Sequence, residues 1–148
     1  MAELLWPGGH HLPAGRTVVE LARDCAGLAD QLVLLPADVP DLPGLVIAKV
    51  LRALGRSPVS LAPERHGPGV AALGLRLPPP DWLAETVDLD WSAEAITALA
   101  PRGVRVPLAP DWPRLRTPAA VHRLDPGLEG WDHTRALLTG RALPGPVL

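Results

Sequence analysis

Helical and strand-like segments alternate along the first half of this chain, and that order constrains its fold more than any other feature. "AGRTVVELARDCAGLADQ" sets Val18 or Val19, Leu21, Ala22, Cys25 and Leu28 at helical spacing. "QLVLL" follows as a continuous apolar run, the pattern of a strand covered on both faces. "LPGLVIAKVLRALGRS" returns to helical spacing, with Leu45, Val46, Val50, Leu51 and Leu54 as its stripe and Gly55 just past its end. "PVSLAP" and "GVAALGLRL" are two further short strands. Helix, strand, helix, strand is the pattern of an α/β domain. It predicts a mainly parallel sheet, flanked by helices and joined by right-handed crossovers.

The second half is punctuated by turn signals. Three prolines remove three backbone donors in "PPPDWL", which must be loop. Ser92 is an N-cap candidate for a helix beginning at Ala93, with Glu94 in the first turn. "VRVPLAP" alternates Val104, Val106 and Leu108 as a fourth strand candidate, and Thr117-Pro118 repeats the cap-and-start device. A last helix in "LEGWDHTRALLTG" would use Leu137 and Leu138 as core contacts and close at Gly140. Without repeat or linker, residues 1–148 read as one domain, with an N-terminal loop over 1–14 and a tail over 141–148.

Composition narrows the partners. The 47% hydrophobic content contains five Trp, no Phe and no Tyr, so the core must be aliphatic and the indoles should sit at edges where their N–H finds an acceptor. Net charge is −2, with Lys49 the only lysine, and there is no basic block of the kind that binds nucleic acid. The single cysteine, Cys25, cannot form an internal disulfide, which points to a reducing cytoplasm. "MAELLWPGGHHLPAG" lacks the basic start and long apolar core of a signal peptide, and no run approaches the ~20 apolar residues of a membrane span.

Two strand ends carry the chemistry. Asp38 follows "QLVLL", where a carboxylate could take a hard cation such as Mg²⁺, or could cap the turn between Pro36 and Pro40. Asp41 is expected to face solvent. In "APERHGPGVAALGL", Arg65 has the planar fork that suits phosphate and His66 titrates near neutrality, while Gly67 and Gly69 would let the chain approach a ligand. The alternative is a plain hairpin, its glycines present for turn geometry. His10 and His11 are adjacent and do not converge on one ion. His122 and His133 lack ligand-type partners one turn away. No phosphate loop, dinucleotide fingerprint or nucleophile elbow occurs.

The order "LVLLPADVPDLPG", "VSLAPERHGPGVAALGLRLP", "DWSAEAITALAPRGVRVPLAPDW", "LRTPAAVHRL" resembles that of bacterial GT-A-fold nucleotidyltransferase-like proteins, over roughly residues 15 to 125. The small glycosyltransferase-A-like family is the nearest resemblance. The 2-phospho-lactate and molybdenum cofactor guanylyltransferases are more distant ones. The resemblance implies a shortened GT-A domain in which Asp38 holds Mg²⁺ and Arg65, His66, Gly67, Gly69 and Arg116 contact a nucleotide or nucleotide-sugar. It implies a nucleotidyl- or glycosyl-transferase activity, weak or degenerate. The alternative is a non-catalytic binding or assembly module of the same fold. The family background favours the transferase, and the departures favour the alternative where strict catalysis is concerned: Arg114 and Arg116 stand where the family's late motif has acids, and the family's opening phosphate cradle has no counterpart. Loss of that opening unit would leave a sheet edge bare, so a homo-oligomer is expected.

Overall fold

The computed structural model describes residues 15–124, 127 and 132–140. The expected N-terminal loop with His10 and His11, the tail over 141–148 and the side chain of His133 lie outside the described residues.

The elements in order are α1 (Val18–Cys25), β1 (Gln31–Leu34), α2 (Gly44–Ala53), β2 (Val59–Pro63), β3 (Val70–Arg76), α3 (Ala93–Ala98), a 3₁₀ helix (Pro118–Arg123) and α4 (Asp132–Leu138). The sheet has the order β1-β3-β2, and both neighbouring pairs are antiparallel. This corrects the mainly parallel sheet expected from the alternation of elements. β1 and β2, linked through α2, do run in the same direction, as a crossover requires. They are not neighbours, because the β2–β3 hairpin folds β3 back into the gap between them. The error lay in treating "GVAALGLRL" as another crossover strand when only six residues separate it from β2, too few to reverse direction twice.

β2 and β3 are buried on both faces, as their continuous apolar runs require, while β1 is partly exposed. Leu32, Leu34, Val59, Leu61, Leu73 and Leu75 point to one face, where α1 and α3 supply Val18, Val19, Ala22, Ala93 and Ile96. Val33, Ala62 and Ala72 point to the other, against Val46, Ile47 and Val50 of α2. Aliphatic residues make up both clusters, and the indoles of Trp82, Trp91 and Trp112 pack at their margins. α2 rides close on the sheet. A Cβ on Gly74 would lie 2.5 Å from Val50 Cγ1 and 2.6 Å from Ser60 Oγ. The Ser60 hydroxyl, fully buried, donates to the Val50 carbonyl at 2.8 Å.

Local signals account for several boundaries. The Thr17 hydroxyl accepts from the Glu20 N–H while Glu20 accepts from the Thr17 N–H, a reciprocal cap that starts α1. Ser92 caps α3 as expected, accepting from Ala95 N–H at 3.0 Å. Thr117 precedes a 3₁₀ helix and makes no side-chain cap bond. Leu28 and Leu45, placed on helical stripes by spacing, are 81% and 67% exposed, because α1 ends at Cys25 and Leu45 lies in the first turn of α2, facing away from the sheet. Leu137 and Leu138 are likewise exposed, and Ala136 of α4 is buried.

The fourth strand candidate does not form a regular strand. Residues 107–112 instead run parallel to β2 through isolated bridges at Leu61–Leu108 and Glu64–Trp112. Leu61 N–H donates to the Pro107 carbonyl and Ala109 N–H to the Leu61 carbonyl, while Pro107 and Pro110 withhold the donors a continuous ladder would need.

Candidate functional site

The strip beside β2 delivers the next residues to the end of the sheet. Trp112 N–H donates to the Pro63 carbonyl at 3.0 Å, and Leu115 N–H donates to the Asp38 carbonyl at 2.8 Å. Arg114 and Arg116, two apart, both turn to this end of the sheet. They meet three carboxylates: Asp38 beyond β1, Glu64 directly after β2, and Asp90 from the loop between β3 and α3.

Arg114 grips Asp38 with both limbs of its fork. Nε donates to Oδ1 at 2.7 Å and Nη2 to Oδ2 at 3.1 Å. Its Nη1 donates to the Leu89 carbonyl and to Asp90 Oδ1, each at 2.9 Å. The guanidinium is thereby buried, with 8% of the side chain exposed. Arg116 repeats the arrangement on Glu64, Nε to Oε1 at 2.8 Å and Nη2 to Oε2 at 2.7 Å, and Nη2 also reaches Asp90 Oδ1 at 2.9 Å. Glu64 Oε2 further accepts the Gly69 N–H at 2.9 Å. Three carboxylates against two guanidiniums leave the cluster one unit negative.

The electrostatics follow from these bonds. Burial pushes the Glu64 carboxyl up, but the hydrogen bonds from Arg116 and Gly69 and the two guanidinium charges outweigh it and hold it below its ordinary value. Asp90 is lowered in the same way: desolvation opposes, and the bonds and charges of Arg116 and Arg114 prevail. The hydrogen bond to Glu64 fixes Arg116 still more firmly in its charged form.

Of the residues singled out in sequence, Asp38, Gly69 and Arg116 meet in this cluster. A Cβ on Gly69 would stand 2.6 Å from the Leu89 carbonyl oxygen and 2.7 Å from Arg116 Nη2. A Cβ on Gly67 would overlap the Glu64 carboxylate itself. The two glycines therefore make room for the ion pairs. The residue of this hairpin with left-handed backbone is His66, at φ 61°. Arg65 and His66 do not join the cluster. Arg65 turns to Asp111, donating to its carboxylate at 2.9 Å, and its guanidinium stands 5.7 Å from the centroid of the Trp112 ring. Asp41, expected to face solvent, is 4% exposed and accepts the Trp112 indole N–H at 3.1 Å. Sequence reasoning gave Asp90 no role. Its signal was faint, an acid three residues before the α3 start.

This donor set does not fit a hard divalent cation. Mg²⁺ takes carboxylate oxygens free to coordinate it, and both Asp38 oxygens accept from one guanidinium. An ion there would have to displace Arg114 or stand against its positive charge. Among the described residues no group of three or more His, Cys, Asp or Glu side chains could hold a metal.

No family model matches the chain, and no curated protein matches it in sequence. Among solved structures, its fold is similar to that of a protein from Desulfovibrio desulfuricans G20 assigned as a nucleotide-diphospho-sugar transferase. The TM-score is 0.51 at 18% identity, over 85% of this chain and 60% of that one. The likeness is one of fold, at the coarse level of an α/β architecture, and the chain spans 60% of that neighbour's length. Among the described residues no helix is long and apolar enough to cross a membrane.

Proposed function

We infer that this chain is a transferase-like domain of the GT-A kind whose sheet-end carboxylates are held by its own arginines, so that it serves as a binding and assembly module and not as a Mg²⁺-dependent enzyme. The observation that carries this reading is the two-pronged bond from Arg114 to Asp38. A guanidinium supplies the positive charge that a transferase would draw from a metal, but it has no open coordination position. It cannot coordinate phosphate oxygens as a Lewis acid or lower the pKa of a bound water.

A second reading keeps a ligand without the metal. Nη1 of Arg116 has no acceptor among the described residues, and the side chain is about one-third exposed, 32%. Its two N–H groups could meet a phosphate oxygen of a nucleotide or nucleotide-sugar, the ligand class suggested by the structural neighbour's assignment. The net negative charge of the cluster weighs against tight binding of such an anion.

Isothermal titration with GTP, CTP, UTP, ATP and a nucleotide-diphospho-sugar, each with and without Mg²⁺, separates these readings. The module reading expects no Mg²⁺-dependent binding. Binding that needs Mg²⁺ and is abolished by Asp38→Asn would overturn it, and metal-independent binding weakened by Arg116→Gln would select the second.

A further inference from the structure

The two edges of the sheet are treated differently by the sequence. Beyond β2, the 107–112 strip occupies the outward groups of Leu61 and Pro63, and Pro107, Pro110 and Pro113 punctuate that side with residues that donate nothing. Among the described residues β1 has no such cover. Its register with β3 pairs Gln31 with Arg76, Leu32 with Leu75, Val33 with Gly74 and Leu34 with Leu73. Leu77 N–H donates to the Asp30 carbonyl, so the hydrogen-bonded pairs on this ladder are those of residues 30, 32 and 34. The N–H and C=O of Gln31 and Val33 therefore point away from β3, and no partner meets them among the described residues. β1 also carries no charge and no proline, the usual means of blunting an edge. Leu32 and Val33 are only half-buried, although each packs against a core cluster on its own face.

We propose that the β1 edge pairs with the β1 edge of a second copy of this chain. A strand is the only partner that satisfies a row of outward N–H and C=O groups, and the opposite edge of each sheet is closed. Copies can therefore meet only β1 to β1, which gives a closed two-fold dimer and not an open filament. The strand is self-complementary in that arrangement. With the axis at Leu32, Gln31 of one copy lies opposite Val33 of the other, and both residues present outward groups, so each exchanges N–H···O=C bonds with its opposite. The same register brings Leu32 against its symmetry mate, covering apolar surface on one face. This inference stands whether or not the cluster binds a ligand.

Amide hydrogen exchange on the full chain, measured across protein concentrations alongside light scattering, tests the pairing. Dimer should form with rising concentration, and protection of the Gln31 and Val33 amides should rise with it. Leu32 and Leu34, bonded to β3, should be protected throughout. Gln31→Pro removes an outward donor without touching the β3 ladder, and should weaken dimerisation at least about tenfold while leaving the melting temperature of the monomer nearly unchanged. A strict monomer whose Gln31 and Val33 amides exchange freely would overturn the proposal. So would protection of those amides in a monomer, which would mean the chain covers its own edge. A dimer indifferent to Gln31→Pro would place the interface elsewhere and overturn it equally.

Discussion

Replacing Arg114 by methionine tests the cluster where it is most buried. The substitution keeps much of the apolar stem and removes the fork, so Asp38 loses both of its guanidinium bonds and the Leu89 carbonyl keeps only the Val70 N–H as a donor. Hydrogen bonds to charged groups are each worth about 1.5–3 kcal/mol, and simple addition would give a loss well above 5. Two offsets reduce it. Asp38 and Asp90 keep 29% and 65% of their side chains exposed and can be rehydrated, and a guanidinium that was 8% exposed no longer has to be stripped of water. The net cost should be about 2–3 kcal/mol, which for a chain of this length lowers the melting temperature by roughly 5–10 °C. Arg114→Lys keeps the charge and loses the planar geometry, so it should recover less than half of that loss. In a double-mutant cycle with Asp38→Asn, the two changes should fall short of additive by about 1–2 kcal/mol. Thermal and urea unfolding report both quantities. An Arg114→Met protein within about 0.5 kcal/mol of wild type and additive with Asp38→Asn would refute the argument that this pair organises the sheet end.

Two further outcomes follow from the same geometry. Because the folded Glu64 carboxyl is depressed, its stabilising contribution is complete above the ordinary value of 4.5 and is lost as pH falls below it. Glu64→Gln should therefore be less stable than wild type near neutrality and should lose less stability between about pH 5 and 3; parallel melting curves across that window would contradict the assignment. Gly69→Ala would drive a Cβ into the Leu89 carbonyl and the Arg116 guanidinium, costing about 1–3 kcal/mol by overpacking. A neutral melt for that variant would mean the loop relaxes freely and does not confine the ion pairs.

Much of the architecture was legible because a strand packed between helices reads as a continuous apolar run. The runs around Leu32–Leu34, Val59–Ala62 and Val70–Leu75 are continuous and apolar, and all three are strands. Ser92 likewise marked the start of α3. The direction of β3 was less legible, since strand polarity depends on the length of a connection and not on the strand's own residues. The cluster was half legible. Asp38 and Arg116 stood out by position and type, but ion pairs between residues 38 and 114 or 64 and 116 join segments more than fifty residues apart. Only the fold brings them together. Asp41 misled for a related reason: an acid beside prolines reads as solvent-facing, and its buried partner, the indole of Trp112, lies 71 positions away.

The central claim is that an arginine fills the cation position at Asp38. Paramagnetic broadening by Mn²⁺, a stand-in for Mg²⁺ with the same taste for carboxylate oxygens, reads that position residue by residue in an amide NMR spectrum. Titrated in the presence of a nucleoside diphosphate, wild-type protein should show no selective broadening at Asp38, Val39, Leu89 and Asp90. Selective, saturable broadening of those amides that disappears in Asp38→Asn would contradict the account.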